Sequence, residues 1–274
     1  MSIQPSQPQS IGGVLDTTFQ LYKASVVKMI PLSLLAVIAG SPQSIYMFMR
    51  GASLGANPAD PFALFAVMQS PGYIASALVG MIASVWILSA AYLKIQAIGT
   101  GSDLGVGTAL TRALTRLPAM VLMAFLFGVA FVIGCILLLV PGLILVISLG
   151  LCFATALFEG KGPVTALSES HRLVWGNWWR TFAIVSVGAV IVMVIYLIAT
   201  LIVSLIAPLL IFGGGGSADN VLLISLLGGL LIALLTSLLM GPFYVSLGIA
   251  IYWDLKLRKD GGDLAARVGA LNPA

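Results

Sequence analysis

Polar positions along this chain are few and clustered, and between the clusters run long stretches without a single charged residue: Met29–Met49, Pro61–Leu93, Leu117–Phe158, Thr181–Ala218 and Val221–Trp253. A helix needs about 20 consecutive apolar residues to cross the hydrocarbon core. The run from Leu117 to Phe158 is roughly twice that length at about 1.5 Å per residue, and Pro141-Gly142 is where a turn is expected to divide it. The pattern therefore predicts six spans, near 29–49, 73–98, 118–139, 142–159, 181–211 and 221–250.

The polar clusters have a pattern of their own. Residues 11–23 place Ile11, Leu15, Phe19 and Tyr22, then Val26, on one helical face, with Asp16, Gln20 and Lys23 elsewhere. Residues 104–117 set Val106, Leu110, Ala113, Leu114 and Leu117 against Thr111, Arg112, Thr115 and Arg116. Residues 163–178 set Val164, Leu167, His171, Val174 and Trp178 against Ser168, Glu169 and Arg172. Apolar residues at this spacing predict amphipathic helices, each preceding a pair of spans. The expected unit is one cytoplasmic interfacial helix plus a hairpin of two membrane helices, present three times at about 11–98, 104–159 and 162–253, with a short tail at 254–274. Leu15, Leu110 and Leu167 are the positions that align. Parallel repeats of this kind are related by an axis along the membrane normal, which predicts a pseudo-threefold arrangement; independent amphipathicity yields the same few matches, so both readings stand.

Composition sharpens the class. Hydrophobic residues make up 60% of the chain and charged residues 8%, with a mean hydropathy of +1.11, whereas a soluble domain carries roughly 25% charged residues. The fold class expected is all-α, a polytopic membrane protein forming a single integral membrane domain. The first 20 residues lack Lys and Arg and any short apolar core, so the first span is expected to act as its own insertion signal. Under six spans, twelve of the basic residues fall on one side and only Arg50 on the other. Cytoplasmic loops retain Lys and Arg, so both termini are expected in the cytoplasm. The net charge of +4 then reflects topology and attraction to anionic headgroups and calls for no nucleic-acid partner.

The stretch from Val140 to Arg180 contains V-P-G-L-I-L and then F-E-G-K-G-P-V-T-A-L-S-E-S-H-R-L-V-W-G-N-W-W-R. It resembles the signature of a bacterial inner-membrane family that includes the YciC-like proteins and the membrane domain attached to some glycerophosphodiester phosphodiesterases. The resemblance maps a proline-glycine turn onto Pro141 and Gly142, an acidic span end onto Glu159, and a helical motif onto Ala166, Leu167, Ser170, Leu173, Gly176 and Trp179. The opening segment I-G-G-V-L-D-T-T-F-Q-L-Y-K is similar too. What this implies is a bacterial inner-membrane location. The phosphodiesterase activity of the family belongs to a separate soluble barrel, which this chain lacks, so no enzymatic role carries over.

Candidate chemistry is thin. None of the nine acidic residues lies near the centre of a predicted span, and intramembrane ionisable groups are what usually mark ion pathways and proton relays. The lone His171 cannot assemble a metal site, which needs three or four ligands, and is expected to be an interfacial side chain. Cys135 and Cys152 sit in apolar runs as small hydrophobes. Gly213–Gly216 has no following Lys and is expected to be a hairpin turn, not a phosphate loop. No cofactor and no metal is expected.

Four features remain. Pro42 is expected to break the first span, with Gln43 and the adjacent serines facing a cavity. The outer loop 50–72 offers an apolar stretch from Pro61 to Met68. Lys23, Lys28, Arg112, Arg116, Lys161, Arg172 and Arg180 form a basic collar suited to anionic lipid or an acidic membrane or cytoplasmic protein partner, and Trp175, Trp178 and Trp179 are expected at headgroup depth. The reading is a non-enzymatic protein that organises lipids or partners; the alternatives are a carrier for a lipid or small amphipathic molecule, and a membrane enzyme.

Overall fold

The computed structural model describes residues 2–54, 63–137, 139–213 and 218–271. These form α1 (Ile11–Leu54), α2 (Ala63–Met68), α3 (Pro71–Gly99), α4 (Val106–Leu137), α5 (Leu139–Leu149), α6 (Cys152–Phe158), α7 (Pro163–Trp175), α8 (Trp178–Gly213) and α9 (Ala218–Leu235), then a π-helical turn at Thr236–Met240 and α10 (Gly241–Leu271). The protein is an all-α polytopic membrane protein. Six of its helical segments are long and apolar enough to cross a bilayer: Ile11–Arg50, Pro71–Gly99, Val106–Leu137, Val140–Phe158, Trp178–Ile211 and Leu223–Gly261. Part of the loop 50–72, most of the glycine run at 213–216 and the end of the tail lie outside the described residues.

Two of the three expected interfacial helices are not separate elements. Residues 11–23 run straight into the first span as α1, and 104–117 into the third as α4. From Val14 to Ile30 the chain has neither Gly nor Pro to stop the first helix. Only the third expected helix stands alone, as α7. Gly160, with φ of +68°, turns the chain out of α6, Pro163 occupies the first turn of α7, and Gly176 ends it. The left-handed glycine with its flanking Pro163 and Gly176 separates α7, whereas Pro118, at the end of the second expected segment, does not interrupt α4.

The buried faces also differ from those expected. In α1 the core side carries Val14, Thr17, Thr18, Leu21 and Ser25, while Ile11 and Phe19 are exposed. In α4 it carries Ala109 and Ala113, with Leu114 exposed; in α7 it carries Ala166, Ser170, Leu173 and Val174, with Val164 exposed. Small residues and hydroxyls take the contacts because helices in lipid associate through close packing, whereas large aliphatic side chains lose nothing by facing acyl chains.

The expected turn at Pro141-Gly142 is instead the first turn of α5, where Pro costs no hydrogen bond because the first four N–H groups lack helical partners. Gly142 serves contact: a Cβ there would stand 2.7 Å from Cys135 Sγ and 3.1 Å from the Cys135 backbone nitrogen, so α4 and α5 meet almost backbone to backbone. Pro42 does not break the first span either, since α1 runs through both Pro31 and Pro42. Hydroxyls of Ser41 and Ser44 donate to the carbonyls of Ile38 and Gly40 at 2.8 and 3.4 Å, the kind of local repair that lets proline persist in membrane helices.

The packed core gathers at one end of the bundle. Leu21, Met29 and Leu32 of α1, Ala90 to Ile95 of α3, Ile184 of α8 and Val245 to Leu255 of α10 contribute to one cluster. Toward the other end, Ile38 and Ile45 of α1, Leu78 and Val79 of α3, and Leu201 and Leu209 of α8 are exposed apolar residues, as expected of surfaces solvated by lipid.

Candidate functional site

Breaking a helix at membrane depth frees backbone groups that must find partners. The fourth apolar segment breaks between α5 and α6 at Gly150-Leu151, and α7 supplies the repair. The Ser170 hydroxyl accepts from the Leu151 N–H at 3.1 Å and donates to the Ser148 carbonyl at 2.9 Å. One turn away, the Thr155 hydroxyl donates to the Ala166 carbonyl at 3.0 Å. Helix α7 therefore runs antiparallel beside α5 and α6. This gives the motif residues physical roles: Ala166 permits close approach, Ser170 bridges the break, Leu173 packs in the core, and Gly176 ends the helix.

A polar layer lies where α7, α10 and the chain start meet. The Glu159 carboxylate binds Lys161 at 2.6 Å and Lys256 at 3.0 Å and accepts from the Tyr252 hydroxyl at 2.7 Å. Glu169 binds Lys161 at 2.8 Å, Arg172 through Nε at 2.9 Å, and Lys259 at 3.7 Å. Across α10, Asp254 accepts from Arg180 at 3.0 and 3.2 Å, from Arg258 Nε at 3.0 Å and from the Gln9 N–H at 2.8 Å. The Gln9 carbonyl in turn accepts from Arg180 at 2.6 Å and also from Arg258.

Charge in this layer is mutually tuned. Burial pushes Glu159 upward, but the hydrogen bonds from Lys161, Tyr252 and Lys256 outweigh it and hold the carboxyl at about 2 against an ordinary 4.5. Hydrogen bonding from Lys161 lowers Glu169 as well; burial works against the Lys161 cation, yet Glu159 and Glu169 together raise its pKa. A depressed folded-state pKa means stability that is present above pH 4.5 and lost as pH falls toward 2. Glu159→Gln is thus expected to lower the melting temperature in detergent at pH 7 and to converge with the parent protein as pH falls below 4.5. A gap that stays constant down to about pH 3 would show that the Glu159 charge contributes nothing.

The expected basic collar is largely consumed by these pairs. Lys161, Arg172 and Arg180 each bind a carboxylate, Lys28 stands 3.8 Å from Asp103, and Arg116 donates to the Gly160 carbonyl at 3.0 Å. Among the described residues only Lys23 and Arg112 of the collar have no such partner. Arg180 faces Asp254 and Gln9 in place of lipid phosphate. Trp175 and Trp179 are 61% and 77% exposed, and with Trp178, Gly176, Asn177 and Arg180 they form a groove against Val140, Leu143 and Ile144. His171 packs its ring 4.9 Å from that of Trp175 and does not join Glu159 and Glu169. The Gln43 amide donates to the Tyr73 hydroxyl at 2.7 Å, tying α1 to α3.

The cavity lies elsewhere, between α3, α5, α8 and α10, with a volume of about 380 Å³. Val146, Ile147, Gly150 and Leu151 wall one side and Val185, Gly188, Val192, Leu247 and Gly248 the other. No Asp, Glu, Lys, Arg or His lines it. Tyr92, only 3% exposed, also lines it, and its hydroxyl has no hydrogen bond among the described residues. Sequence reasoning misses Asp254, Tyr92 and Tyr252. Asp254 has a usable signal, an acidic residue four positions before Arg258; the tyrosines have none. Among the described residues no cluster of three metal-ligating side chains occurs, and both cysteines are free. No protein-family model matches this chain, and no solved structure matches it.

Proposed function

We propose that this is a non-catalytic inner-membrane protein of bacterial type that organises lipid, holding one hydrocarbon chain between its helices, with both termini cytoplasmic. The observation that carries the reading is the apolar cavity beside the α5–α6 break. Its volume of about 380 Å³ falls within the ~300–1,000 Å³ typical of small-ligand sites, its walls offer apolar side chains to a chain, and the Tyr92 hydroxyl offers one donor to a lipid ester or carboxyl oxygen. The described carboxylates of the polar layer support a structural role, because each is engaged by cations and none borders the cavity. The motif resemblance to the YciC-like family is in keeping with the inner-membrane location alone.

Native mass spectrometry of the protein extracted with its surrounding lipids tests it. The parent is expected to retain a lipid, Val185→Trp to lose it by filling the space, and Tyr92→Phe to retain it several-fold less well. Equal retention by the parent and Val185→Trp would remove the cavity as the site. The second reading, a carrier for a lipid or small amphipathic molecule, is favoured by the broken α5–α6 segment, since discontinuous helices line the sites of many transporters. Lipid movement across reconstituted vesicles distinguishes a carrier from a static holder.

A further inference from the structure

Length and apolar composition allow the α4 and α5–α6 segments to cross the bilayer, but their contacts set them across the bundle. The Glu159 end of α6 is held by Tyr252 and Lys256 of α10. The opposite end, at Val140, Leu143 and Ile144, shares a groove with Trp175 to Arg180, and Arg180 is ion-paired to Asp254. Helix α7, which runs beside α5 and α6, is likewise tied to α10 at its middle and past its end: Glu169 to Lys259, and Arg180, beyond the last turn, to Asp254. All these anchors fall between Tyr252 and Lys259, about 10 Å of α10 at about 1.5 Å per residue. The segment Val140–Phe158 has 19 residues and is about 28 Å long if extended as helix. A segment with one end on this ~10 Å of a crossing helix, and the other beside an arginine paired to the same stretch, does not have its ends on opposite faces of the membrane.

We propose that α4, from Pro118, and α5–α6 form a hairpin that lies in the leaflet on the Arg180 side, with its tip returning to that side, while α1, α3, α8 and α9–α10 cross. The occupant of the hairpin's outer face is the acyl layer of that leaflet. Phe125, Val129, Val132, Ile133 and Ile136 of α4 are exposed, Ile136 by 78%, and the exposed Trp175 and Trp179 suit the headgroup boundary. Arg112 and Arg116 precede the apolar run on the same helix. Because the hairpin is an even pair, the partition of basic residues is the same whether it crosses or not.

The test uses the full chain in cells with Cys135→Ala and Cys152→Ala as background. Gln69→Cys, before α3, reports the far face. With a membrane-impermeant maleimide, Gln69→Cys is expected to be labelled on intact cells and Ile136→Cys is not. Nitroxides at Leu122, Val129 and Ile136 are expected to sit at similar depths in reconstituted bilayers. Labelling of Ile136→Cys from outside, or a depth that passes through the bilayer centre between Leu122 and Ile136, overturns the proposal. The cavity need not hold lipid for this result to stand.

Discussion

Asp254→Ala is expected to destabilise the protein by about 3–5 kcal/mol, the cost of leaving buried charge uncompensated. Asp254 is 1% exposed and is the acceptor shared by Arg180, Arg258 and the Gln9 N–H. Removing it leaves two guanidinium groups facing each other at one backbone carbonyl, that of Gln9, and leaves the Gln9 N–H without a partner. Thermal unfolding in detergent gives the magnitude. Limited proteolysis gives the location, because residues 2–9 are held by this network and by the bonds from the Ile3 and Gln4 N–H groups to the Gly99 carbonyl at 2.8 and 3.2 Å. Asp254→Asn keeps the shape but not the charge and is expected to fall between the parent and the alanine variant. A loss under about 0.5 kcal/mol, the range of ordinary surface substitutions, would mean the network is a spectator.

Ser170→Ala is expected to cost about 2–3 kcal/mol. Its hydroxyl serves the Leu151 N–H and the Ser148 carbonyl together, and each buried backbone group left unsatisfied costs about 1–3 kcal/mol. The effect should be local as well as global: hydrogen exchange at the Leu151 amide is expected to accelerate, while amides in α10 keep their protection relative to the new global stability. Ser170→Thr retains the hydroxyl and is the variant that separates its loss from a general packing defect. Unchanged exchange at Leu151 in Ser170→Ala would show that the break is held by something other than α7.

The link between these predictions and the sequence is uneven. The motif positions Ala166, Ser170, Leu173 and Gly176 are legible as a pattern, but the reason for a serine there is not, because its partners are backbone groups 19 and 22 residues away. The basic residues are legible as a collar, but their carboxylate partners come from the loop before α4, the end of α6, α7 and α10, brought together only by folding. Pattern alone sets Gln43 at a cavity on the strength of Pro42 nearby; it instead joins Tyr73, because hydroxyl repair lets α1 continue past the proline. The cavity borders a break at Gly150-Leu151 that has no proline and only one glycine to announce it.

The amino-acid sequence by itself determined that the chain is helical and membrane-embedded, where its long apolar segments lie, and that α7 is a separate helix, since Gly160, Pro163 and Gly176 act on the adjoining backbone. These are properties of local chemistry and of transfer into lipid. Only the tertiary structure decided which face of each helix is buried, which carboxylate meets which cation, and how α6 and α7 are set against α10. In water, hydrophobicity separates inside from outside; in a bilayer both the core and the surroundings are apolar, so the pattern that locates a membrane helix leaves its packing face and orientation to side-chain fit and to contacts from distant parts of the chain.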